Sequence, residues 1–100
     1  MFKKVIKTKD LVEGDIKYVE AFGKKLALAR EDGEVFCFND TCSHAECSLS
    51  EGWIEDGNVF CPCHGSSFEM KSGKVLSLPA TEDIAVYDVR EEEGEILVDL

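Results

Sequence analysis

The sequence predicts an all-β domain built from short antiparallel strands, and three observations carry that prediction. Turn signals punctuate the chain at short intervals, at Gly14, Gly23, Asp32-Gly33, Asp56-Gly57, Gly73 and Gly94. Apolar residues recur with period two, as in Leu26 and Leu28 alternating with Ala27 and Ala29, or in Ile96, Val98 and Leu100. No segment sustains the three-to-four-residue apolar spacing of an amphipathic helix.

Taken in order, residues 3–8 form the first predicted strand, closed by a polar turn over residues 10–15. Residues 15–22 and 24–30 form a predicted pair around Gly23. Asp32-Gly33 then reverses the chain, because glycine accepts positive φ, and leads into residues 35–38. Residues 52–54 and 58–60 flank the turn Glu55-Asp56-Gly57, and residues 67–70 and 74–76 flank Lys71-Ser72-Gly73. Pro79 interrupts pairing because it has no N–H to donate. Residues 84–89 and 95–100 close the chain, joined by a charged connection, Arg90-Glu91-Glu92-Glu93-Gly94, that reads as a solvated tip. Trp53 reads as a core aromatic, and Cys37, inside an apolar strand, as a small buried side chain. With no repeat, low-complexity linker or boundary, residues 1–100 read as one domain.

A chain of 100 residues with 44% hydrophobic content can bury a modest core, and a bound metal centre would add stability at this size. No run approaches the roughly 18–20 apolar residues of a membrane span. The basic start, Met1 to Lys7, lacks the apolar segment of a signal peptide. The reading is a soluble, cytoplasmic protein. Eleven basic against 21 acidic side chains give a formal charge of −10. That balance argues against nucleic acid and anionic membrane as partners. It suits steering toward a basic patch on a protein, and equally suits solubility alone.

Two stretches concentrate the metal-ligating chemistry. Cys42-Ser43-His44 and Cys61-Pro62-Cys63-His64, with residues 45–60 between them, hold both histidines of the chain; with Cys47 they hold four of its five cysteines. Local packing explains a lone cysteine such as Cys37, but not paired cysteines and histidines in paired loops. A structural zinc module with a Cys₂His₂ set is one alternative. Its loops usually space ligands by two to four residues, whereas Cys42 and His44 are separated by one, and Cys47 and Cys63 would have no role. Nucleophilic chemistry at a cysteine beside a histidine is another, without an identifiable substrate pocket or oxyanion donors.

Cys-x-His followed by Cys-x-x-His at this separation resembles the Rieske proteins, through Cys42-Ser43-His44-Ala45-Glu46-Cys47 and Cys61-Pro62-Cys63-His64-Gly65-Ser66, with Pro79 in a third loop. The resemblance covers essentially the whole chain. It implies a Rieske-like antiparallel β-sandwich with a cluster-binding subdomain at about residues 41–79. It also implies one [2Fe–2S] cluster, with Cys42 and Cys61 on the inner iron and His44 and His64 on the outer one. Two ferric ions, two sulfides, two thiolates and two neutral imidazoles carry no net charge, whereas a four-thiolate set stays anionic. An electron is therefore accepted more easily, at roughly −150 to +300 mV.

Cys47 and Cys63 match the positions that form a disulfide between the loops in Rieske subunits of cytochrome bc complexes; many soluble ferredoxin-type members lack the pair. Ser66 matches a serine that donates to a cluster sulfur in high-potential members, which also carry a tyrosine where this chain has Phe68. The resemblance thus implies a potential between the dioxygenase-ferredoxin and bc-complex ends of the family. The function it implies is a small electron carrier, not itself an enzyme, that takes one electron from a reductase to a terminal oxygenase or another redox protein. The alternative is a Rieske-type small subunit of a nitrite reductase or oxygenase complex.

Overall fold

A computed structural model of the chain describes residues 1–43, 46–63 and 65–100. Among the described residues ten strands follow one another: β1 (Phe2–Lys7), β2 (Ile16–Ala21), β3 (Lys24–Glu31), β4 (Glu34–Asn39), β5 (Trp53–Glu55), β6 (Asn58–Phe60), β7 (Ser67–Glu69), β8 (Val86–Tyr87), β9 (Val89–Glu92) and β10 (Glu95–Asp99). They form three antiparallel sheets, ordered β1-β10-β9, β2-β3-β4-β8 and β5-β6-β7. The only described helical pieces are single 3₁₀ turns at Thr8–Asp10 and Leu49–Glu51.

The all-β expectation holds, and its physical centre is β3. Leu26, Ala27, Leu28 and Ala29 are all fully buried, so this strand is covered on both faces. Ala27 and Ala29 face one core with Phe38, Leu49, Val59, Phe68, Met70, Cys42 and Cys61. Leu26 and Leu28 face a second core with Leu11, Cys37, Ile96 and Val98. The period-two pattern therefore sorts residues between two cores rather than between core and water. The four-stranded sheet is the middle layer, with the outer β1-β10-β9 sheet on one side and the β5-β6-β7 sheet with its loops on the other.

The hairpin turn at Asp32-Gly33 has φ of 53° and 79° at its two central residues, the two-residue turn that matches strand twist. The turn at Glu93-Gly94 repeats it, with φ of 50° and 77°.

Four expectations need correction. Residues 74–76 do not form a strand: Val75 makes an isolated bridge to Phe68, and its N–H goes to the Asp83 carboxylate at 2.9 Å. The ladder stops there because side chains take its donors on both flanks of the bridge: the Ser67 N–H goes to the Ser77 hydroxyl at 2.9 Å and the Lys74 N–H to the Ser72 hydroxyl at 3.2 Å. Residues 84–89 do not form one strand either. β8 pairs with β4 and β9 with β10, so the chain changes sheets at Asp88. Arg90, Glu91 and Glu92 belong to β9 and only Glu93-Gly94 is the tip; the Arg90 guanidinium lies 4.1 Å from the Phe2 ring centroid. Finally, Trp53 is not a core residue. It is 51% exposed and stacks on Phe60, its cross-strand partner, with ring centroids 5.3 Å apart and planes 2° from parallel.

Candidate metal centre

Two loops, residues 42–47 and 61–66, are closed in the same way. The Cys42 N–H donates to the Cys47 carbonyl at 2.9 Å, and the Cys61 N–H donates to the Ser66 carbonyl at 2.8 Å. The second loop is the tip between β6 and β7, and the Gly65 N–H returns to the Cys61 carbonyl at 3.0 Å. The first loop leaves β4 and is closed at its base by the Thr41–Ser48 bridge. Asp40 holds that base. Its buried carboxylate accepts from the Ser50 N–H at 2.8 Å and from the Ser48 hydroxyl. Hydrogen bonds of this kind make a buried carboxylate tolerable.

The loops lie side by side. A disulfide joins Cys47 to Cys63, with their Cα atoms 6.4 Å apart, as the resemblance implied. Cys42 and Cys61 are buried in the core that faces Ala27 and Ala29. Cys37 lies in the other core, and burial pushes its thiol up to about 12; it is the structural cysteine the sequence suggested. His44, Ala45 and His64 lie outside the described residues.

A third loop, over residues 76–83, covers both others, and Leu78–Pro79 within it is cis. The Ala80 N–H donates to the Ser66 hydroxyl oxygen at 3.0 Å. The Ser77 hydroxyl accepts from the Ser67 N–H at 2.9 Å and bonds the Ser67 hydroxyl at 2.8 Å. From the first ligand loop, the Ser43 hydroxyl donates to the Glu82 carbonyl at 2.6 Å. Ser43, Ser77 and Ala80 were not singled out from the sequence. Their partners lie 39, 10 and 14 residues away, beyond any local pattern.

This donor set fits a [2Fe–2S] group. Two cysteines sit in an apolar, water-excluded core at the roots of neighbouring loops, as a thiolate-held cluster requires. Ser66 is fully buried. Its oxygen accepts from Ala80, which leaves its own O–H to donate to a further acceptor.

A family model described as the Rieske [2Fe-2S] domain matches residues 1–88. The chain belongs to the Rieske [2Fe–2S] family. Its relatives include a 3-phenylpropionate/cinnamic acid dioxygenase ferredoxin subunit from Escherichia coli strain K12, 42% identical over 91% of this chain and 86% of that protein. Among solved structures, the Sphingomonas yanoikuyae B1 ferredoxin superposes with a TM-score of 0.93 at 27% identity, covering 100% of this chain and 99% of that one. A complex of reduced oxygenase and oxidized ferredoxin in carbazole 1,9a-dioxygenase contains a chain with a TM-score of 0.89 and 35% identity, covering 97% of this chain and 91% of that one. Rieske proteins carry a [2Fe–2S] cluster. Among the described residues no helix is long and apolar enough to cross a membrane.

Proposed function

We propose that this chain, a single Rieske domain over residues 1–100 with its cluster-binding part at about 41–79, is a cytoplasmic one-electron carrier. It takes an electron from a reductase and delivers it to a terminal oxygenase. The observation that carries this reading is the pair of crosslinked, identically closed loops, each rooted on a buried cysteine, in a family whose similar members are ferredoxin components of dioxygenases. Cys42 and Cys61 would hold the inner iron and His44 and His64 the outer one. When bound, the group supplies reversible one-electron chemistry.

The chain's own residues position that site. The disulfide and the Ser43, Ser66 and Ser77 hydrogen bonds hold three loops in one arrangement, which keeps reorganisation on electron transfer small. Cys47 and Cys63 serve as this brace, and Ser66 offers its O–H toward the site. Around it, the third loop presents Leu76 and Leu78, which are 49% and 75% exposed. Glu46, Glu82 and Asp83 are exposed nearby in sequence on the first and third loops. Apolar contact with an acidic rim suits a partner whose docking face is apolar with basic residues around it.

Purified protein is expected to contain two irons and two sulfides per chain and to show a reduced-state EPR signal of mixed histidine and cysteine ligation. Its potential should fall between the two ends of the family. Electron transfer to a dioxygenase terminal oxygenase should slow as ionic strength rises. Colourless protein, or a rate indifferent to salt with every oxygenase tried, would overturn the carrier reading or the steering respectively.

A further inference from the structure

We propose that a dithiol reductant converts the Cys47–Cys63 crosslink into part of a three-thiolate site for a soft divalent cation such as zinc, completed by Cys61. Among the described residues, the sulfurs of Cys47, Cys61 and Cys63 all lie within 4.8 Å of one another. Three convergent sulfurs are the donor set that zinc takes, with a fourth position left to water. The site differs from the Cys₂His₂ module considered from the sequence, since it uses the two cysteines that module leaves out.

The crosslink is open to a reductant. Cys63 is exposed, and Cys47 lines an open cleft of about 550 Å³ together with Lys25, Glu46 and Ser48. Disulfides in the cytosol face dithiol reductants, and those that occur there tend to be transient or redox-sensing. In the exchange, one thiol of the reductant attacks a protein sulfur to give a mixed disulfide. Its second thiol then closes on the first. Two electrons and two protons pass to Cys47 and Cys63, and the reductant leaves as its own cyclic disulfide.

Cleavage of the S–S bond lets the two sulfurs separate. Tetrahedral zinc with bonds of about 2.3 Å needs its sulfurs roughly 3.8 Å apart. The 6.4 Å between the Cys47 and Cys63 Cα atoms allows that spacing by side-chain rotation, without moving either loop. Cys61 belongs to both the cation site and the proposed cluster ligand set, so the two occupants exclude each other. That consequence rests on the proposed function; the cation site itself does not.

The full chain, stripped of iron, is treated with a phosphine, which becomes the phosphine oxide as water supplies the protons. Co(II) is then titrated in. We expect one Co(II) to bind at least tenfold more tightly than to untreated chain, with sulfur-to-cobalt absorption counting three thiolates. In a Cys47→Ser/Cys63→Ser double variant, phosphine treatment should change neither quantity. Unaltered affinity and thiolate count in the treated natural chain would overturn the proposal. Alkylation of the natural chain gives a test that does not depend on the variant folding. Zinc should protect Cys47, Cys61 and Cys63 together after phosphine treatment; protection of Cys61 with Cys47 and Cys63 still labelled would overturn it. Cluster reconstitution with the disulfide intact tests the carrier reading separately, because it needs no zinc and no phosphine.

Discussion

The Ala80 amide donates to the buried hydroxyl oxygen of Ser66 at 3.0 Å, which ties the loop carrying Pro79 to the loop carrying Cys61. Ser66→Ala would strand that N–H in a buried position, at a cost of about 1–3 kcal/mol. Denaturant unfolding of the chain should show this loss whether or not a cluster is bound. If the Ser66 O–H also donates to the cluster, redox titration should show a lower potential, since such a bond favours the reduced form.

Arg30 joins the middle sheet to the outer one. Its Nε donates to the Leu11 carbonyl at 2.8 Å, and its two terminal nitrogens reach the Glu91 carboxylate at 3.1 and 2.8 Å. Hydrogen bonding from Arg30 holds the Glu91 carboxyl below its ordinary value, with Thr8 adding to it. A depressed folded value means the pair stabilises the fold above the ordinary glutamate value of about 4.3. That contribution is lost as the pH falls through the folded value. The stability gap between the natural chain and Glu91→Gln, measured by urea unfolding, should be open at neutral pH and close below about pH 4. A gap independent of pH would refute the assignment.

Gly52 has ordinary φ but no room. A Cβ there would stand 1.9 Å from the Phe60 carbonyl oxygen and 3.2 Å from the Pro62 ring. Both neighbours flank Cys61, so Gly52→Ala must move the root of the second loop. We expect destabilisation of about 1–3 kcal/mol, together with reduced iron content. Gly52→Ala protein with full iron content and unchanged unfolding would show that the approach tolerates a methyl group.

Cys37 is buried in strand β4, with its thiol pushed up to about 12. It should resist iodoacetamide at pH 8 in the folded chain and react once urea unfolds it, as read by mass mapping. Since the unfolded thiol ionises near about 8.5, the thiol's contribution to stability should fade as pH rises from there toward the folded value. Cys37→Ala should flatten that alkaline decline.

The turns were legible because they depend on neighbouring residues. Asp32-Gly33 and Asp56-Gly57 place glycine where φ is positive, and the hairpins form there. Burial of β3 was legible as a pattern but not as a location, since alternation cannot say whether a strand has one covered face or two. Trp53 misled because size and hydrophobicity suggest a core, while its position in a three-stranded sheet near the site leaves one ring face on Phe60 and the other toward water.

The site divides along the same line. The pairing of Cys47 with Cys63 was legible only through the family resemblance, while Cys42 and Cys61 stood out as candidate ligands because metal chemistry constrains residue type and separation along the chain. The structure shows the disulfide and buries both candidates. An all-β chain, its hairpin turns and the family of its centre could be read from residue order, because each rests on neighbouring residues or fixed spacings. That β3 serves two cores, and that the chain after Ile84 changes sheets, emerged from packing. The same packing lets Ser43, Ser66 and Ser77 bind a third loop to the other two. Those contacts join residues up to 39 positions apart, and hydrogen bonds of that range are set by where the packed sheets deliver the loops.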